Sequence, residues 1–171
     1  MSLSMYQASV PVFVRALNNL SKILEKGEAF AAAKKIDPSV LIQSRLAPDM
    51  YPLARQIQIA TDVTKGGAAR LAGVEIPSFE DNETTFAELQ ARLKKTIAFV
   101  QGLKAEQIDG TEKKEIALTI GRVEKRDLKF DGQSYLLGFV LPNIYFHTSI
   151  AYAILRHNGV ELGKADYLGP A

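Results

Sequence analysis

The sequence predicts a mainly α-helical protein, an antiparallel four-helix bundle in a single domain over 1–171, with a small peripheral β-hairpin near 115–131. Three observations lead there. Four long segments carry apolar residues three and four apart, which places them on one helix face. One short stretch alternates with a period of two, as strands do. The chain has 171 residues and no cysteine, so it can bury a core without disulfides or thiolate metal sites.

The first stripe is Met5, Val10, Phe13, Val14, Leu17, Leu20 and Leu24, and predicts a helix over 4–26. Pro11 should kink it or mark its effective start, and Gly27 should stop it. A short helix over 28–35 then ends at Asp37-Pro38. The second long helix follows Pro48-Asp49, with Asp49 as its expected N-cap and Pro52 in the first turn. Leu53, Ile57, Ala60, Thr64, Gly67 and Leu71 share its face until Gly73 closes it. Gly66-Gly67 inside a helix costs about 1 kcal/mol per glycine relative to alanine, so either the helix weakens there or another backbone approaches closely, and the second is expected.

Residues 74–84 form an acidic connection containing Pro77. Thr85-Phe86-Ala87-Glu88 then makes a capping box for the third helix, whose stripe is Phe86, Leu89, Leu93, Ile97 and Val100 up to Gly102. Ile116, Leu118 and Ile120 alternate with smaller or polar residues, as do Leu128 and Phe130 after a charged turn, and these form the hairpin. A lone hairpin is marginal in water and must lean on the bundle. The last helix covers 134–157, kinked or restarted at Pro142 and capped by Gly159, with an extended tail to Ala171.

Composition narrows the function classes. Twenty-one Lys and Arg against nineteen Asp and Glu leave a net charge of +2 with no basic block, so no nucleic-acid footprint is expected. The first residues lack a charged and then apolar leader, and with the missing cysteines this predicts a cytoplasmic protein. Tyr135 to Leu155 is a run of 21 residues without Asp, Glu, Lys or Arg, long enough for a membrane span. Pro142, Asn143, His147, Thr148 and Ser149 near its middle favour a core helix buried all round by its neighbours, and no membrane partner is expected.

The familiar catalytic motifs are missing: there is no glycine-rich phosphate loop, no HExxH, no GxSxG and no ExxH ending at His147, because residue 144 is Ile144. The carboxylate pairs Asp81 with Glu83 and Glu112 with Glu115 lie in connections, where solvated charge is the plainer reading. Tyr145, Tyr152 and Tyr167 read as core or interface residues. The two histidines, His147 and His157, are about 15 Å apart along one helix and cannot share a metal ion within a chain. His157, in the last turn, suits the helix dipole. His147 lies mid-helix with Asn143 one turn before it. Those two make a polar spot that faces either a pocket or the core, where His147 would be satisfied by Gln56 or Gln58.

Two blocks of residues then resemble a family. The first is Met5-Tyr6, Pro48-Asp49-Met50-Tyr51-Pro52-Leu53 into Gln56, and Arg70-Leu71-Ala72-Gly73. The second is Pro142-Asn143, Phe146-His147, Ala151-Tyr152, Ile154-Leu155-Arg156-His157 and Gly163-Lys164. Together they resemble an uncharacterised bacterial family within the DinB/YfiT-like superfamily, over nearly the whole chain. The resemblance implies a four-helix bundle, often a homodimer, with a pocket at one end. Typical members hold a divalent metal on three histidines, and several are thiol-dependent transferases or isomerases. His147 matches the second histidine of the HxxxH pair, the first falls on Asn143, and the helix-two histidine falls on Gln56 or Gln58. His147 is then the only surviving candidate ligand, and no metal or other cofactor is expected, since amides are weak ligands for zinc or nickel.

The expected function is therefore a metal-free pocket for a small ligand, lined by Gln56, Asn143 and His147. Two alternatives stand beside it: a divalent-metal-dependent thiol transferase or isomerase, with His147 as ligand or base, and a non-catalytic dimeric interaction protein. A homodimer is expected in each case, because the last helix has surplus apolar surface and the tail could reach a partner.

Overall fold

The computed structural model describes residues 3–121 and 124–170. Residues 122–123, which fall within the expected charged turn, and residue 171 lie outside that range. The elements are α1 (Met5–Lys34), α2 (Pro38–Gln43), α3 (Leu53–Ala72), α4 (Phe86–Gln101), α5 (Ala105–Ile108), β1 (Ile116–Ile120), β2 (Arg126–Phe130), α6 (Gly132–Tyr135), α7 (Leu141–His157) and α8 (Lys164–Leu168), with a π-helical segment at Leu136–Val140.

Four of these make the bundle. α1 packs on α4 and α7, and α3 packs on the same two, while α1 and α3 meet less across the diagonal. Two apolar clusters fill the interior. One holds Leu17 to Ala31 of α1, Leu53 to Ala60 of α3, Phe86 to Leu93 of α4 and Ala151 to Leu155 of α7. The other holds Met5 to Phe13, Ala68 and Leu71, Val100, and Val140 with Ile144. This shared membership sets the helix directions: α1 and α7 run one way, α3 and α4 the other. Contacts α1–α4 and α3–α7 are thus antiparallel, and the 73–85 connection must return along the bundle to start α4 beside the start of α3. Between the clusters each of α3, α4 and α7 buries polar side chains: Thr61 and Thr64, Thr96, and His147 with Thr148. The threonine hydroxyls donate to carbonyls four residues back on their own helices, which satisfies them locally.

Several elements differ from the sequence reading. α1 runs through Gly27 to Lys34, because that glycine lies where a Cβ would meet Leu155 at 3.1 Å; it marks helix packing and not a stop. Ser4 and Gln7 make a capping box that starts α1 ahead of Pro11, and Lys35 in the left-handed region ends it. Asp37 caps a further short helix, α2. Asp49 does not cap α3; the N-cap is Pro52, without a side-chain bond. Thr85 and Glu88 do form the capping box of α4. At Gly67 a Cβ would fall 2.6 Å from Val140 Cγ1, so what comes close is a side chain and not the expected backbone, and at Gly66 the nearest atom belongs to Arg70 of the same helix.

β1 and β2 pair antiparallel from Ile116 with Phe130 to Ile120 with Arg126. The hairpin leans on the bundle through Ile116, Leu118 and Phe130, and Phe130 packs tilted on Tyr135 and Phe139. The last helix is continuous across Pro142. The amide of Leu141 donates to the carbonyl of Leu136, five residues back, so the π-helical turn re-registers the ladder just before a proline that has no N–H to give. By length and composition Gly132–His157 could cross a membrane, yet only 28% of its apolar window is buried, so the helix is not enclosed all round. One face packs into the bundle; the other exposes Leu137 (51%), Tyr145 (45%) and Phe146 (56%). The tail is not extended either. It folds into α8, where Asp166 accepts from the amide of Gly163, and lies on α1.

Candidate functional site

Gln56 sits in the second turn of α3 among the inward residues Leu53, Ile57 and Ala60, and His147 is mid-α7 beside Ile144 and Ala151. Because α3 and α7 are antiparallel neighbours, the two side chains meet. His147 Nδ1 lies 2.8 Å from Gln56 Oε1, with Gln56 only 3% exposed and His147 9%. The other end of the amide fixes its orientation, since Gln56 Nε2 donates to the carbonyl of Tyr51 at 3.0 Å.

That second bond decides the histidine tautomer. With Nε2 of Gln56 committed as donor, Oε1 faces the ring and can only accept. Nδ1 therefore carries the proton, and Nε2 of His147 carries the lone pair. No described residue bonds Nε2. The one fully buried side-chain nitrogen or oxygen lacking a partner among the described residues is Arg55 Nε, so Nε2 of His147 keeps contact with solvent. Burial, with the nearby Arg55 charge, lowers the His147 pKa to about 4, and the ring is neutral at pH 7. Phe146 stands edge-on to the imidazole, ring centres 5.1 Å apart.

Of the three residues singled out from the sequence, the structure joins two by a hydrogen bond. Asn143 turns to its own helix, its Nδ2 donating to Phe139 O at 2.7 Å. The choice between Gln56 and Gln58 is resolved by what each meets: Gln58 donates to Glu83 and accepts from Arg55, on the side of the 73–85 crossover.

Residues 5–168 match the family described as a domain of unknown function, DUF1993. The chain belongs to the DUF1993 family. A crystal structure described as a DinB family member protein from Shewanella denitrificans is 40% identical, covers 97% of this chain and 92% of its own, and superposes with a TM-score of 0.86. No curated protein matches the chain. DUF1993 is in this light a DinB-like helical family without an assigned function.

The metal that the superfamily likeness implies does not fit the donors of this DUF1993 chain. Among the described residues no three His, Asp or Glu side chains are grouped to hold an ion. One imidazole, an amide already bonded at both ends and a second amide turned to its own helix are a poor set for zinc or nickel.

Sequence reasoning missed the cation network next to the site. Arg92, 1% exposed at its side chain, donates to Thr61 Oγ1 at 2.7 Å and pairs with Asp62 at 2.6 Å, Glu83 at 2.9 Å and Asp81 at 3.1 Å. Arg55 also pairs with Asp81. Phe79 packs beneath Lys65, Lys95 and Arg92, whose charged groups lie 4.9, 4.8 and 5.6 Å from the ring centre. These contacts hold the crossover onto α3 and α4. Partial burial works to raise the Asp81 pKa, but the Arg55 and Arg92 guanidinium groups hold it below the ordinary value. A signal existed: Arg92 is three residues after Leu89 and four before Thr96, an arginine beside an apolar stripe that faces inward.

Proposed function

We propose that this DUF1993 bundle binds a small polar molecule without a resident metal, and that Nε2 of His147 receives a hydrogen bond from the ligand. The supporting observation is the Tyr51–Gln56–His147 chain of hydrogen bonds, which holds the imidazole in one tautomer with its lone pair uncommitted. The ligand group is then an O–H, N–H or S–H donor. The neighbouring positive charge of Arg55 favours one that shifts electron density onto its heteroatom as it donates.

Magnitude separates binding from base catalysis. A general base works best with a pKa near the working pH. An imidazole with a pKa of about 4 accepts a hydrogen bond at neutral pH but holds a transferred proton poorly. This favours a binding role over a thiol-dependent transfer in which His147 acts as base.

Thermal-shift screening of small polar metabolites against the full chain, repeated with His147→Ala and Gln56→Leu, tests the reading. The expected result is a stabilising ligand whose effect disappears in His147→Ala. Elemental analysis of protein purified without chelator is its counterpart. Near one zinc, nickel or iron per chain, lost in His147→Ala, would overturn the metal-free site and favour the enzyme.

The exposed Leu137 and Phe146 support a second feature, self-association through the last helix. Light scattering at micromolar concentration should give a dimer that Phe146→Glu dissociates; a monomeric parent protein would contradict it.

A further inference from the structure

A cavity of about 520 Å³ lies between α1, α7 and α8, and neither His147 nor Gln56 lines it. Its size is that of a small-molecule site. Val12, Ala16, Leu20 and Ile23, three and four residues apart on α1, form an apolar wall. Tyr145 and Thr148 of α7 form the opposite side, and Tyr167 and Leu168 of α8 form the lid.

The lid is tied down on two sides. Toward α1, Asn19 donates to the carbonyl of Tyr167 at 3.0 Å and Lys26 pairs with Asp166 at 2.6 Å. Arg15 donates to the carbonyls of Leu168 and Pro170, each at 3.0 Å through Nη2. Toward α7, the Tyr167 hydroxyl lies 3.2 Å from Thr148 Oγ1 and 3.1 Å from Ser149 Oγ. Gly169, at φ +70, lets the chain leave the lid where a Cβ would fall 2.3 Å from Asn19 Oδ1. The space beneath is therefore framed by specific polar contacts. Arg15 is the one charged residue of the lining, and no carboxylate joins it there.

We propose that this cavity binds a small monocarboxylate with an apolar body. The body lies along Val12, Ala16 and Leu20, and the carboxylate pairs at the rim with Nη1 of Arg15, the guanidinium nitrogen left over while Nε and Nη2 hold the carbonyls of Leu168 and Pro170. A single arginine with no opposing acid suits one negative charge, and the apolar wall excludes a strongly hydrated ligand. The site uses none of the residues of the Gln56–His147 pair and stands or falls apart from the function proposed for them.

Decanoate, decanol and decylammonium, titrated into the full chain and followed by amide NMR shifts, are the probes. Decanoate should shift Ala16, Tyr145 and Tyr167 saturably, with decanol weaker and decylammonium weakest. Arg15→Gln releases the carbonyls of Leu168 and Pro170 as well as removing the charge, so it should weaken both probes, decanoate by roughly tenfold more than decanol. Ala16→Phe should block both while the thermal midpoint holds; if that variant does not fold, the Arg15→Gln comparison decides. Equal binding of all three probes, shifts elsewhere on the molecule, or no saturable binding at roughly millimolar concentration would overturn the proposal. So would a dimer in which a second copy fills the groove.

Discussion

Nδ1 of His147 lies 2.8 Å from Oε1 of Gln56, and this bond joins α7 to α3 beside Leu53, Ile57 and Ala60 of one apolar cluster. Neither partner could be replaced singly without leaving a buried polar group unpaired. Gln56→Leu strands the buried Nδ1–H, and should cost about 1–3 kcal/mol in urea unfolding. Adding His147→Leu should recover part of that loss, because both members of the pair are then apolar. Additive losses would show that the pair is not coupled.

Stability should also depend on pH through His147. Its pKa is about 4 in the folded chain against 6.5 ordinarily. The unfolded chain takes up a proton as pH falls through about 6.5, while the folded chain does not until about 4. Stability is thus fully present above about pH 6.5, declines on acidification, and stops declining on this account below about pH 4. The total is about 3 kcal/mol. His147→Gln should flatten the slope between pH 6.5 and 4.5. Asp81, held below the ordinary carboxylate value, adds its own loss only at more acid pH.

Arg92→Leu should destabilise the bundle by about 3 kcal/mol, because it leaves Asp62, Asp81 and Glu83 facing one another without their shared cation. Hydrogen exchange should show the 73–85 crossover opening first. Protection there equal to that of the parent protein would mean that the crossover is held by other contacts.

Gly67→Ala gains about 1 kcal/mol of helix propensity but drives a methyl group to 2.6 Å from Val140 Cγ1. Overpacking of this kind costs about 1–3 kcal/mol, so a net loss near 1 kcal/mol is expected in thermal or urea unfolding. Val140→Ala in the same chain should restore the gain. A stabilising single substitution would show that α3 and the last helix have room to separate.

The helices that carry regular stripes were legible in the sequence, as were the Thr85–Glu88 capping box and the hairpin. What escaped depended on tertiary placement. Gly27 reads as a stop in isolation, but Leu155 comes close enough to need it. The run Tyr135 to Leu155 reads as an all-round buried helix because it lacks charge, yet half-polar residues such as Thr148 face inward while Phe146 faces out. Within the candidate site, the four-residue spacing of Asn143 and His147 put them on one face. It could not show that the Asn143 amide would turn to Phe139. Arg92 was hidden because its carboxylate partners come from α3 and the crossover, 9 to 30 positions away in sequence.

The state of the His147 ring is the most direct measure of the site. Long-range proton–nitrogen correlation NMR on uniformly labelled protein carrying His157→Gln reports both ring nitrogens of His147 across a pH titration. The Gln56 contact requires a protonated Nδ1 and, in the neutral ring, an unprotonated Nε2, while burial and the Arg55 charge place the apparent pKa near 4. A proton on Nε2 at pH 7, or titration at 6.5 or above, would contradict the arrangement and remove the lone pair on which the proposed ligand site depends.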